Sequence, residues 1–254
     1  MQVSSGSNIF WRSLLVTDAV TSIFKGNDCP LKRGHMQSQQ QRGKIAVLGA
    51  SGNIGKRIVA LASKLGFEVV CQTRNTLKMG DMDMGSGVHV QMFDPKDAAS
   101  LDTFVTGAQA VIFALGINKP GATTLFSEVT AALLPAMRKH GVRRLIAITG
   151  VGAGDTRGHG GFVYDWIVFP LFTQKIYADK DRQEAMIAAS DLDWTIVRPA
   201  PFSESGTARP LEIYTKIKPE TVLRKIARDE VAAFVVEQIN SDQYVRQRPF
   251  IGHA

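Results

Sequence analysis

Cysteine is scarce in this chain: its 254 residues hold two, Cys29 and Cys71. That excludes a disulfide-dense scaffold. With no CxxC and no Cys/His cluster, a structural zinc site is not expected either. Long apolar runs are missing as well. No stretch reaches the roughly 18 uninterrupted apolar residues of a membrane-spanning helix, so no membrane span is expected. No internal repeat of fixed period is visible, and no interior segment has the composition of an interdomain linker. The net charge is +7, from 30 Lys and Arg against 23 Asp and Glu. Yet there is no basic helix with base-reading residues and no interleaved basic and aromatic stripe, so nucleic acid is not expected as a partner.

What is present suffices for a core. At 44% hydrophobic and 21% charged, the composition is that of a folded chain. The length suits one large α/β domain. Charge is spread unevenly. Residues 1–43 carry Arg12, Lys25, Lys32, Arg33 and Arg42 against Asp18 and Asp28, an excess of +3. From Lys44 onward 25 basic residues face 21 acidic ones, or +4. The first segment ends in a polar, Gln-rich stretch, Met36–Arg42, and before it Ile9–Phe24 spaces apolar residues near a helical period. Three readings stand open for it: a targeting peptide, a helix docked on the main domain, or an upstream extension of non-native sequence with the natural start at Met36. The expected organisation is a poorly ordered or non-native extension over 1–43 and one domain over 44–254.

From Lys44 strands and helices alternate. Short apolar runs predict strands over Lys44–Leu48, Phe67–Cys71, Val88–Phe93, Ala108–Leu115, Arg144–Thr149 and Trp194–Val197. Helical spacing runs from Ile54 to Leu65, stopped by Gly66, spans Ala122–His140, and recurs in a helix ending near Ser190. Such alternation predicts a parallel sheet covered on both faces, with right-handed crossovers.

The turn between the first strand and first helix reads Gly49-Ala50-Ser51-Gly52-Asn53-Ile54-Gly55. Gly49 allows a sharp turn out of the strand. Gly52 lets backbone approach a pyrophosphate. Gly55 lets the helix pack close to the sheet. The helix N-terminus beyond offers unpaired N–H groups and partial positive charge to phosphates. The spacing is GxxGxxG rather than GxGxxG, but strand before and helix after supply the required context, so dinucleotide binding is expected. An NAD site expects an acidic residue about 20 residues on, for the ribose 2′-hydroxyl. The second strand instead runs into Cys71-Gln72-Thr73-Arg74-Asn75, which holds no acid. A guanidinium at Arg74 can grip a 2′-phosphate that a carboxylate would repel, so NADP, and NADPH over NADH, is the expected cofactor.

These residues resemble the short-chain dehydrogenase/reductase superfamily, in its atypical NAD(P)H-binding branch of NmrA-like and flavin reductase (biliverdin reductase B)-like proteins. The resemblance covers nearly all of 44–254. It rests on GASGNIG at 49–55, TRN at 73–75, ITGVGAG at 148–154, KDRQEAMIAASDLDWTIVRPAP at 180–201 and IARDEVAAFVVEQI at 226–239. It implies a Rossmann-type doubly wound parallel sheet with helices on both faces, in a single domain whose C-terminal part adds substrate-site elements. The cofactor would lie at the carboxyl ends of the strands. By the same resemblance Asp94 contacts adenine, and Ala114, Leu115 and Gly116 pass beside the ribose. Arg198-Pro199-Ala200-Pro201-Phe202 then lies near the nicotinamide. On residue type alone, Asp94 is equally a turn or N-cap residue before Pro95, and Pro199 a strand-ending one.

Standard members of the superfamily use Ser, Tyr and Lys, with the Tyr phenol as general acid and base. Here Thr149 stands at the Ser-like position and Lys180 at that of Lys. The residue four before Lys180 is Ile176, and Tyr177 is one off, about 100° round a helix. The YxxxK register is therefore absent, which argues against a standard alcohol dehydrogenase. It suits a reductase in which the cofactor carries the hydride and Lys180, Thr149 or Tyr177 supplies a proton or steadies an oxyanion. Lys180 also reads as a solvated helix charge paired with Glu184. Gly150–Gly161 holds six glycines in twelve residues and leads into Phe162, Tyr164, Trp166, Phe169, Phe172 and Tyr177. This is either a lid over a planar acceptor or a stretch of core or partner surface. His159 within it reads as a solvent-exposed loop residue.

The expectation is a cytoplasmic, NADPH-dependent reductase of a flavin-, quinone- or carbonyl-like small molecule, acting as a monomer or homodimer. A non-enzymatic NADP(H) sensor of NmrA type is the alternative. A sugar epimerase ranks behind both.

Overall fold

The computed structural model describes residues 42–80, 87–117, 121–159, 161, 166, 174–204, 206 and 210–253. The chain divides between Gln37 and Ser38, and every described residue falls in the second unit, Ser38–Ala254. The helical spacing of Ile9–Phe24 lies outside the described residues, as do Phe162, Tyr164, Phe169 and Phe172.

In chain order the elements are β1 (Arg42–Leu48), α1 (Asn53–Lys64), β2 (Phe67–Thr73), β3 (Val88–Met92), α2 (Ala98–Val105), β4 (Ala110–Phe113), α3 (Leu125–Lys139), β5 (Arg144–Ile148), α4 (Gln174–Ala188) and β6 (Asp193–Pro199). Beyond these come β7 (Phe202–Ser203), β8 (Glu212–Tyr214), β9 (Ile226–Ala227), α5 (Arg228–Glu237) and β10 (Phe250–Gly252). Eight strands form one sheet in the order β3-β2-β1-β4-β5-β6-β10-β8, all parallel except the edge strand β8. The chain steps outward from β1 through β2 to β3, then crosses back to β4 on the other side of β1. That reversal opens a crevice at the carboxyl ends of β1 and β4.

Both faces of the sheet are buried, which is why its strands read as continuous apolar runs. Ala46, Leu48, Val111, Phe113, Leu145 and Ile196 join Phe104 of α2, Phe126, Leu133 and Met137 of α3, and Ile187 of α4 in one core. The alternate residues Ile45, Val47, Ile112 and Val197 are equally buried, on the face where α1 packs against α5. Arg57 of α1 pairs with Asp229 of α5 at 2.8 Å across that layer.

The Rossmann-type doubly wound architecture is as the resemblance implied. Several details differ from the sequence expectation, among them the ends of β2, β4 and β6. β1 begins at Arg42, whose guanidinium lies over the Phe67 ring. The helix expected from Ala122 begins at Leu125. The eight-residue α2 was not foreseen, although Asp97 caps it through Ala99 N–H at 3.1 Å. The strands β7–β10 are two or three residues long and too short to show a period.

Candidate cofactor and active site

At Gly49 the chain leaves β1 with φ +78°, and a Cβ there would lie 2.8 Å from the Ala114 carbonyl oxygen and from Leu115 N and Cα. Conformation and space both demand glycine. A Cβ on Gly55 would run into the Gly49 carbonyl and lie 2.9 Å from Ala50 Cα. Gly52, exposed and less crowded, is the N-cap of α1. It offers no side-chain cap, and the first turn of α1 holds no acid. The first N–H groups of α1, at Asn53, Ile54 and Gly55, therefore have neither a side-chain cap nor an acid in their own turn, the kind of helix N-terminus that could hold a phosphate.

Gln72, buried at the end of β2, clamps this turn. Gly49 N–H donates to its Oε1 at 3.1 Å, and its Nε2 donates to the Phe93 carbonyl at 2.8 Å. Sequence reasoning did not single it out; an amide buried in an apolar strand was the available signal. Thr73 Oγ1 reaches Ser51 Oγ at 3.0 Å, which ties the glycine turn to the end of β2. The next residue, Arg74, is exposed and makes no hydrogen bond or ion pair among the described residues. Asp94 is also exposed and accepts from Lys96 N–H at 3.0 Å, a turn role. Ala114 and Leu115 lie against Gly49, and Gly116 is exposed with open space at its Cβ position. Pro199 ends β6, buried, with its carbonyl accepting from Val151 N–H at 3.1 Å.

Thr149, Tyr177 and Lys180 come together at the carboxyl end of β5. The Lys180 ammonium donates to the Thr149 carbonyl and sits 5.1 Å above the Phe126 ring and 5.4 Å above the Tyr177 ring. The Tyr177 hydroxyl fills the space where a Cβ on Gly150 would be. Burial pushes Lys180 down to about 8, with the Glu184 charge opposing that shift. The Thr149 hydroxyl is spoken for: it donates to Glu184 Oε1 at 2.6 Å. Glu184 in turn holds Arg198, through Nε at 3.1 Å and Nη2 at 2.5 Å. Arg198 also meets Asp155. Burial works against the Arg198 charge, but the hydrogen bonds and charges of Glu184 and then Asp155 outweigh it and raise its pKa. Arg198 was expected only as part of the stretch near the nicotinamide, and Glu184 only as a helix partner of Lys180; their pairing with each other was not foreseen. The adjacency of Lys180 and Glu184 as a solvated helix pair is corrected, because Glu184 is buried.

Among the described residues of the glycine-rich segment, several are tied down. Gly154 N–H donates to Asp181 at 2.8 Å, Arg157 pairs with the same carboxylate at 2.7 Å, and Asp155 meets Arg198. His159 is half-buried rather than solvent-exposed, with Nδ1 2.5 Å from the Thr221 carbonyl. Cys71 lies buried in β2, its thiol pushed up to about 12 by burial, so it is an inert core residue.

A crevice at the strand switch, an uncapped helix N-terminus and a crowded glycine turn define a dinucleotide-binding Rossmann domain. The model of the NAD(P)H-binding family matches residues 49–242, and the chain belongs to that family. Among relatives, the chloroplastic protein TIC 62 of Pisum sativum is 27% identical over 192 residues, covering 67% of this chain and 34% of TIC 62. The chain thus spans about a third of that relative's length. Among solved structures, ChuY of Escherichia coli O157:H7, described as an anaerobillin reductase, superposes with a TM-score of 0.67 at 20% identity, over 83% of this chain and 97% of ChuY. A short-chain dehydrogenase/reductase of Veillonella parvula in complex with NADP gives a TM-score of 0.66 at 16% identity, over 83% of this chain and 94% of that one. Among the described residues no helix is long and apolar enough to cross a membrane.

Proposed function

We propose that the protein is an NADPH-dependent reductase of the atypical short-chain branch, passing a hydride to a planar flavin-, quinone- or carbonyl-like acceptor. One observation carries this: the uncapped N-terminus of α1 and the unpaired Arg74 sit at neighbouring strand ends, with no carboxylate at the end of β2. That pair suits a pyrophosphate and a 2′-phosphate together. Gly49, Ser51, Gly52, Asn53, Ile54 and Gly55 would hold the pyrophosphate, and Arg74 the 2′-phosphate. Asp94 would meet the adenine, Ala114, Leu115 and Gly116 the ribose, and Pro199 the nicotinamide side.

The bound cofactor supplies the hydride. Lys180 supplies the proton, because its ammonium is held at the Thr149 carbonyl and its lowered pKa eases proton release near neutrality. Tyr177 walls the ammonium in. Thr149 acts through its carbonyl, since its hydroxyl is committed to Glu184. A cytoplasmic location and a monomeric or homodimeric state belong to the same proposal.

A second reading, an NADP(H) sensor of NmrA type, is favoured by that same commitment of Thr149, which leaves no hydroxyl at the Ser-like position for an oxyanion. Mixing the protein with NADPH and a panel of flavins, quinones and carbonyls, while following the nicotinamide absorbance band, separates the two. Turnover with any acceptor supports the reductase. Tight NADP(H) binding with no turnover across the panel overturns it in favour of the sensor.

A further inference from the structure

Beneath Lys180 lies an ion pair to which the reductase proposal gives no role. The side chains of Glu184 and Arg198 are 5% and 4% exposed. Dehydrating two charges is costly unless every hydrogen-bonding position is filled, so such a pair needs a reason. Arg198 grips both oxygens of Glu184 in a fork. Thr149 Oγ1 donates to the same carboxylate, and Arg248 Nε stands 3.5 Å from it. Glu184 lies one turn of α4 beyond Lys180, on the same side of the helix. It does not take the ammonium itself. Lys180 goes instead to the carbonyl of Thr149, the residue whose hydroxyl Glu184 holds.

We propose that Glu184 is a positioning residue: seated on Arg198, it fixes Thr149 as the acceptor for the Lys180 ammonium and keeps that ammonium in its proton-bearing form. This rests on the reading of Lys180 as proton donor. The other charged groups around Lys180 are already committed. Asp179 of α4 turns to the N-terminus of α3, where it accepts from Phe126 N–H. Asp181 holds Gly154 and Arg157, and Asp155 meets Arg198. From α3 the contact is the uncharged Phe126 ring, and from its own helix the Tyr177 ring. Arg198 of β6 is shared between Glu184 and Asp155, and Arg248, before β10, faces Glu184 and the Trp194 ring. Among the described residues, the Glu184 charge, one helical turn away, favours the Lys180 cation through space.

The test reads Lys180 directly and needs no acceptor. Trinitrobenzenesulfonate labels only the neutral amine, so labelling of Lys180 against pH, followed by peptide mass spectrometry, gives its midpoint. In Glu184→Gln the midpoint falls by about one pH unit, the shift expected when a close opposite charge is removed. Glu184→Asp keeps the charge and stays near the wild-type midpoint. Asp155→Asn, which removes a carboxylate from the far side of Arg198, also stays near it. If Glu184→Gln does not fold, Thr149→Val cuts the hydroxyl's link to Glu184 while every charge stays, and with Thr149 no longer fixed the midpoint falls there too. An unchanged midpoint in whichever of these folds overturns the proposal, as does an equal fall in Asp155→Asn. A protein that shows the shift but turns over no acceptor keeps this inference and loses the reductase.

Discussion

Lys180 donates to the Thr149 carbonyl and not to Glu184, the acid one helical turn away on its own helix. The difference matters chemically. An exposed Lys–Glu pair on a helix contributes only about 0.2–0.5 kcal/mol and leaves the ammonium solvated. Here the ammonium is enclosed by two rings and a carbonyl at the end of β5, where a parallel sheet presents its ligands.

A pH limb follows from this enclosure. Lys180 lies near 8, below its ordinary 10.5. Its ammonium, the proton-donating form, is lost as pH rises through about 8. Acceptor turnover is expected to fall over that range. Lys180→Met is expected to remove the limb and lower turnover at neutral pH by about 10²–10⁴-fold, with NADPH affinity retained. Steady-state rates against pH check both. Stability moves the opposite way: the folded pKa is below the unfolded one, so the burial penalty present below about 8 is relieved as pH rises toward 10.5.

Cofactor choice is expected to rest on Arg74. A charge-assisted contact is worth about 1.5–3 kcal/mol, so Arg74→Asp weakens NADPH binding by about 10–100-fold. NADH binding changes far less. Calorimetric titration of both nucleotides decides, and equal losses would remove the 2′-phosphate assignment.

Two glycines of the site region make a matched pair. Gly55→Ala places a methyl against the Gly49 carbonyl and Ala50 backbone. It is expected to cost about 1–3 kcal/mol of stability by overpacking, and nucleotide affinity with it. Gly116→Ala meets nothing within 4 Å and leaves stability unchanged. Denaturant unfolding compares them.

Asp179 is a capping residue supplied from another helix. Fully buried, it accepts from Phe126 N–H at 2.8 Å and Ser127 Oγ at 2.5 Å at the start of α3. Asp179→Ala strands those donors and is expected to cost about 1–3 kcal/mol. Circular dichroism melts with and without NADPH should show lower stability but an undiminished shift on ligand binding.

The contacts within the candidate cofactor side were largely legible in the chain because they are local. Gly49, Gly55, Ser51 and Arg74 lie within one strand–turn–helix–strand unit, where spacing alone sets neighbours. The core strands were legible for a related reason. Burial on both faces writes itself as an unbroken apolar run. The short α2 and the strands β7–β10 carry too few residues to show a period, and tertiary pairing forms them: Ile251 finds Pro199, and Phe202 finds Ile226.

The sequence by itself determined the alternation of strand and helix, the glycine turn and the lack of an acid at the end of β2. From these followed the sheet class and the expected phosphate and cofactor. Tertiary structure decided which polar groups are spent and which are free. Thr149, Glu184 and Arg198 lie 35 and 14 residues apart along the chain, yet share one buried carboxylate. No local pattern records such a contact, because it arises only when α4 is packed on β5 and β6. The energy of a charge depends on what surrounds it after packing, not on its position in the chain.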